Sequence, residues 1–131
     1  MGPELAFFLA FGVTLLCLAL VVYTGLRARV RLHLVCVGAA LVALGTAIWM
    51  AVRLGRYYDL EAAGAITDVH LLIAKLTTAL YVLPLTTGVM TLYNRRHKRL
   101  HFRLALVVLA LTVVTAVTGT WMLLTAPRLP G

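Results

Sequence analysis

The sequence predicts an all-α, integral membrane four-helix bundle made of two antiparallel helical hairpins, and three observations predict it. Of 131 residues, 63% are hydrophobic and 12% charged, whereas a water-soluble domain of this size keeps its apolar fraction near about one half and its charged fraction near about a quarter. The apolar residues form four runs, each close to the roughly 20 residues that a helix rising ~1.5 Å per residue needs to cross hydrocarbon. The charges fall in the short stretches between those runs, as they do where lipid is the solvent.

Hydrocarbon offers the backbone no hydrogen-bond partner, so a spanning segment is a helix or a strand of a closed barrel. Runs this long without strict alternation are not barrel strands. The first run covers residues 5–26. It has no basic residue before it, is longer than the ~7–15 residues of a signal-peptide core and is followed directly by arginines, so it reads as a retained span rather than a cleaved signal. The second run covers 32–52, the third 69–93 and the fourth 104–126. Lys75 interrupts the third, and Pro84 removes one of its backbone hydrogen bonds and predicts a kink. Short connections pair the first helix with the second and the third with the fourth, within one membrane domain over residues 1–131. The connection from Arg53 to Asp68, divided by Gly64, is the only one long enough to hold structure of its own.

Basic residues orient the chain. Arg27, Arg29 and Arg31 lie between the first two helices, and Arg95, Arg96, His97, Lys98, Arg99 and Arg103 between the last two, so both connections are expected in the cytoplasm. The middle connection mixes Arg53 and Arg56 with Asp59, Glu61 and Asp68, and the amino terminus offers Glu4. These belong outside, with both termini. Trp49, Tyr57, Tyr58 and Trp121 then fall at the outer boundary, and Tyr23, Tyr93 and Phe102 at the inner one. The formal net charge of +8 is what two cytoplasmic connections against an anionic leaflet produce, and it calls for no nucleic acid. The expected partner is the lipid bilayer. Cys17 and Cys36 lie in separate helices without Cys-x-x-Cys spacing and read as small packing residues.

Function is sought in polar groups held in or against the membrane, where they are costly. His33, His97 and His101 lie at the inner boundary and His70 near the outer end of the third helix. Below His33 the second helix carries Cys36, Ala40, Ala47 and Ala51, small residues that let a helix or a flat cofactor come close. His101 shares a face with Thr112, Thr115, Gly119 and Met122. Two imidazoles at one depth suit axial haem ligation, and three converging suit Zn, Cu or Fe. The plainer readings are a solvated loop residue for His97, interfacial residues bonded to backbone or headgroup for His33 and His101, and a polar residue bonded to a neighbouring helix for His70. The sharper reading of His70 is a second metal site with Met50 or Met122. Lys75, inside the third helix, either snorkels outward, pairs with Asp68 seven residues earlier or with Glu61, or marks an anion, quinone or proton site.

These residues carry a resemblance. Arg31-Leu32-His33, Val69-His70, the stretch Leu83-Pro84-Leu85 to Thr91-Leu92-Tyr93, the turn Arg96-His97-Lys98-Arg99-Leu100 and the closing Val117-Thr118-Gly119-Thr120-Trp121-Met122 resemble a small bacterial four-helix membrane family of unassigned function. Some of its members are implicated in maturation of haem-copper terminal oxidases. The resemblance spans residues 27–125, and its recurrent histidines match His33, His70 and His97. Met50 and Arg53 stand where members have a further histidine.

The resemblance implies an accessory or assembly protein of a respiratory oxidase, handling haem b or copper in contact with oxidase subunits. The alternatives are a b-type cytochrome-like electron carrier with one haem between His33 and His101 or His97, and a structural subunit of a larger complex. No Ser-His-Asp set, paired carboxylates, Walker loop or His-Glu-x-x-His motif is present, which disfavours hydrolytic and nucleotide-driven chemistry. Any haem or metal is expected at the inner boundary, with His33→Ala removing it and His70→Ala leaving it largely intact.

Overall fold

The computed structural model describes residues 2–130. Among these residues the regular structure is helical: α1 (Pro3–Leu26), α2 (Val30–Leu54), α3 (Ala65–Leu80), α4 (Val82–Tyr93) and α5 (Lys98–Thr125), with short 3-10 turns at Gly55–Tyr57 and Arg95–His97. The third apolar run is divided into α3 and α4, so the helices make four segments long and apolar enough to cross a membrane: Pro3–Leu26, Val30–Tyr57, Ala65–Tyr93 and Arg95–Thr125. The chain is an all-α, multi-pass membrane protein.

Local chemistry sets the ends. Pro3 stands in the first turn of α1, where its missing N–H costs nothing, and Glu4 beside it complements the positive end of the helix dipole. At the other end Ala28 takes a left-handed φ of 52°. Its N–H and that of Arg29 reach back to the carbonyls of Gly25 and Thr24, both at 3.1 Å, a closure that satisfies two orphan carbonyls and reverses the chain within three residues. α3 begins at Ala65 because Gly64, at φ 73°, turns the chain into it. Thr67 fastens that start by donating to the Leu60 carbonyl at 2.6 Å.

Two boundaries differ from those expected. The basic stretch from Arg95 to Arg103 is not one loop: Asn94 accepts from the Arg96 N–H at 3.0 Å, a 3-10 turn follows, and α5 starts at Lys98. His101 therefore sits one turn inside a helix rather than at its start. Pro84 divides the third run without ending it, because Tyr81 keeps helical angles (φ −58°, ψ −24°) and the Leu85 N–H still reaches the Tyr81 carbonyl at 3.3 Å. It has no N–H for the Leu80 carbonyl, and the helix is interrupted at Tyr81.

The chain forms two compact units. One runs to Tyr58 and takes in the segment from Leu129; in it α1 and α2 pack antiparallel, and Leu129 N–H donates to the Tyr57 carbonyl at 2.9 Å. The other, Asp59–Arg128, packs α5 along both α3 and α4. Burial is inverted relative to a soluble protein. Leu5, Phe8, Leu9, Leu16, Val42 and Val117 are exposed, whereas the buried positions include Thr14, Thr24, Thr67, Thr77 and Thr87 beside Ala40, Ala47, Leu54 and Val108. Lipid takes the large apolar side chains, and close helix contacts take small and hydroxyl ones. Arg27 over the Tyr23 ring (5.5 Å) and Arg53 over Trp49 (4.8 Å) end α1 and α2 with cation-π pairs of the kind found at a membrane boundary.

Candidate functional site

Three of the four histidines are held in the same way. His33 on α2 faces α1: its Nδ1 lies 3.0 Å from the Val21 carbonyl and 3.3 Å from Thr24 Oγ1. Thr24 is 1% exposed and donates its own hydroxyl proton to the Leu20 carbonyl at 2.7 Å. His101 on α5 faces α4, with Nδ1 3.0 Å from the Pro84 carbonyl and 3.4 Å from Thr87 Oγ1, while Thr87 donates to the Leu83 carbonyl at 2.7 Å. His70 on α3 faces α5, with Nδ1 3.1 Å from Thr118 Oγ1 and the Thr115 carbonyl bonded to the same ring; Thr118 donates to the Val114 carbonyl at 2.9 Å.

The proton positions follow. A carbonyl only accepts, and each threonine proton is directed to the carbonyl one turn back, so the threonine oxygen is left to accept. Nδ1 is the donor in all three rings. In the neutral imidazole the lone pair then resides on Nε2, the arrangement found in metal-bound histidines whose other nitrogen donates to a carbonyl.

A glycine completes each seat. A Cβ at Gly25 would lie 3.2 Å from His33 Cε1, one at Gly88 3.2 Å from His101 Cε1, and one at Gly119 2.7 Å from His70 Cε1. Each ring lies close against the helix backbone; at Gly25 and Gly88 a Cβ would be tight, and at Gly119 it would force a shift. Thr24, Gly25, Thr87 and Gly88 are not among the candidate residues named from the sequence, and Thr118 is named there only within the closing stretch of the resemblance. The signal was the dipeptide Thr-Gly, which occurs three times in the chain, each time within an apolar helix.

His97 does not share this arrangement. It closes the 3-10 turn after α4, and its backbone N–H, not its ring, is the bonded group, to the Asn94 carbonyl at 3.2 Å. The face that His101 shares with Thr112, Thr115 and Gly119 makes a close helix contact with α3 and the residue after it: Thr112 bonds Tyr81 Oη at 2.8 Å, Thr115 bonds Thr77 at 3.1 Å and Gly119 receives His70. Among the described residues, no three of His, Cys, Asp and Glu converge in a way that could hold a metal ion. The chain offers single, well-held imidazoles rather than a chelating cluster. Cys17 and Cys36 are free thiols, and Cys17 lines an apolar groove of about 560 Å³ between α1 and α2 with Ala10, Gly38 and Ala43.

Lys75 lies ten residues into α3, about three turns, because the helix begins at Ala65. Lys75 and Asp68 are both exposed on α3, and no ion pair joins them among the described residues. An exposed lysine without an ion pair to Asp68 fits the snorkelling reading, in which its four-carbon stem carries the charge to the boundary. Lys75→Met is therefore expected to leave abundance in the membrane unchanged and to raise the melting temperature in bilayers, as read by quantitative immunoblot and thermal unfolding; a drop in abundance would identify a structural pair.

Fold and site together define a class: a multi-pass membrane protein with imidazoles seated in its helix seams. No protein-family model matches the chain, and no curated protein or solved structure is found to be similar to it.

Proposed function

We propose that this chain is an accessory protein of a respiratory haem-copper oxidase in the bacterial inner membrane, and that it holds haem b or copper through imidazole Nε2. One observation carries the ligand chemistry: the Nδ1–H of His33 and that of His101 are each directed to a helix carbonyl at 3.0 Å. This leaves the nitrogen that iron and copper prefer unprotonated in the neutral ring. The oxidase is supported by the resemblance of residues 27–125, and so is an assembly role in contact with oxidase subunits. His33 and His101 are the first ligands; His97, whose ring has no hydrogen-bond partner among the described residues, belongs to the basic stretch.

When bound, haem or copper supplies redox chemistry and the residues supply its seat. Thr24 and Thr87 orient the rings, and the apolar faces exclude water. The reading is tested on detergent-purified protein by metal analysis and a reduced-minus-oxidised spectrum. Membranes from cells lacking the chain should also contain oxidase subunits deficient in haem or copper. A protein that carries neither, and whose loss leaves the oxidase fully loaded, would defeat the proposal. A haem that stays on the protein and is reduced by quinol would favour the b-type carrier instead.

In this reading both termini face outward and Lys98 faces the cytoplasm, because Lys and Arg concentrate at the two short turns. A single cysteine at position 98, in a background without Cys17 and Cys36, should be labelled by an impermeant maleimide in inverted vesicles and protected in intact cells. Labelling from outside the cell would reverse the topology.

A further inference from the structure

Lys75 stands nearer the middle of a membrane span than any other charged residue of the chain. In the span Ala65–Tyr93 it is four residues from the middle residue, Ala79, so its Cα lies about 6 Å from the centre along the helix. In hydrocarbon about 30 Å thick that is about 9 Å inside the nearer edge, and a stem spanning about 6 Å nears the edge only at full stretch. Ionisable residues of membrane helices almost always face the bundle interior and pair there. Lys75 does neither: it is exposed on α3, and no ion pair joins it among the described residues. The chain has four carboxylates in all, and none meets Lys75 at its own depth. Glu4 stands at the start of α1, Asp59 and Glu61 precede α3, and Asp68 is in the first turn of α3, about 10 Å from Lys75 along the axis. A second copy lying parallel in the membrane brings the same residues at the same depths.

The side chains around Lys75 form a face that another helix can cover. Leu72, Lys75, Leu76 and Ala79 are spaced by three and four residues along one side of α3, and all four are exposed. α5 packs on a different side, where Thr77 is buried and bonded to Thr115. Ala79 is small enough to let a second backbone come close. A leucine or methionine at position 75 would meet lipid without cost, so the lysine is accounted for by a carboxylate that arrives from outside the chain. We infer that this face of α3 is a docking surface for a membrane helix of a different protein, one that carries Asp or Glu at the depth of Lys75. In the free chain the ammonium snorkels; in the complex it turns to the carboxylate, and in hydrocarbon their attraction is far stronger than in water. The same low dielectric makes the contact selective, because a helix without a carboxylate leaves the lysine covered and unpaired. The surface uses no histidine and needs no haem or copper.

Photocrosslinking in intact cells tests this on the full chain. p-Benzoylphenylalanine replaces Leu72, Leu76 or Ala79 in turn, with Leu16 on α1 and Val117 on α5 as exposed control positions. The α3 positions should form an adduct with a spanning helix of another protein that the controls do not form, and mass spectrometry of the joined peptides should find Asp or Glu in that helix. Removing one member of a close charge pair weakens association by about tenfold or more, so Lys75→Met should lower the adduct by that factor at equal abundance on an immunoblot. Lys75→Arg should retain it. Lys75→Glu should lose it and regain it when the carboxylate of the joined helix is replaced by lysine, a recovery that a variant unable to fold would not show. An adduct undiminished in Lys75→Met, a joined helix without a carboxylate, an adduct only between two copies of this chain, a charge swap that restores nothing, or no adduct from any α3 position would overturn the docking surface. An adduct that meets these criteria with a protein other than an oxidase subunit would support the surface and count against the oxidase reading.

Discussion

On the proposed function, His33→Ala is expected to strip most of any haem or copper that the purified protein carries, and His101→Ala to do the same, while His97→Ala leaves it in place. Losing a ligating imidazole is more damaging than losing an outer partner, which already costs about 10- to 100-fold in affinity. The contrast with His97 is the informative part. The three residues lie at the same basic boundary in the sequence, yet only His33 and His101 have a ring held by a carbonyl and a threonine. His70→Ala, on α3, should leave it largely intact. Metal analysis and a reduced-minus-oxidised spectrum of the four variants decide the matter; equal loss in all four would mean that histidine acts here through folding alone.

Gly119→Ala is expected to destabilise the α3–α5 seam by about 1–3 kcal/mol, the cost of overpacking a close contact. The added Cβ would stand 2.7 Å from His70 Cε1. The ring cannot retreat freely, because its Nδ1 is held by Thr118 at 3.1 Å. Alanine at Gly12, Gly38 or Gly45 meets nothing within 4 Å and, by its better helix propensity, should be neutral or stabilising. Thermal unfolding in detergent should place Gly119→Ala well below these controls. Combining it with His70→Ala should recover much of the difference, since the clash then has no second partner. A double variant as unstable as the sum of the two singles would show that the glycine serves some other contact.

Much of this protein was legible in its sequence, for a reason that belongs to the solvent. A bilayer demands long apolar segments with internal backbone hydrogen bonds, so residues 5–26, 32–52, 69–93 and 104–126 announce α1, α2, the α3–α4 pair and α5 without any knowledge of packing. Which residues meet across the helices was not legible. Tertiary contact decided that the stripe of Thr112, Thr115 and Gly119 receives Tyr81, Thr77 and His70, and that His97 stands apart from the other three histidines. It also decided that a recurring Thr-Gly is a seat for a ring. Between membrane helices the energy lies in short-range contacts of small and hydroxyl groups rather than in apolar patterning. A stripe of such residues therefore shows that something comes close, and only the folded chain shows what.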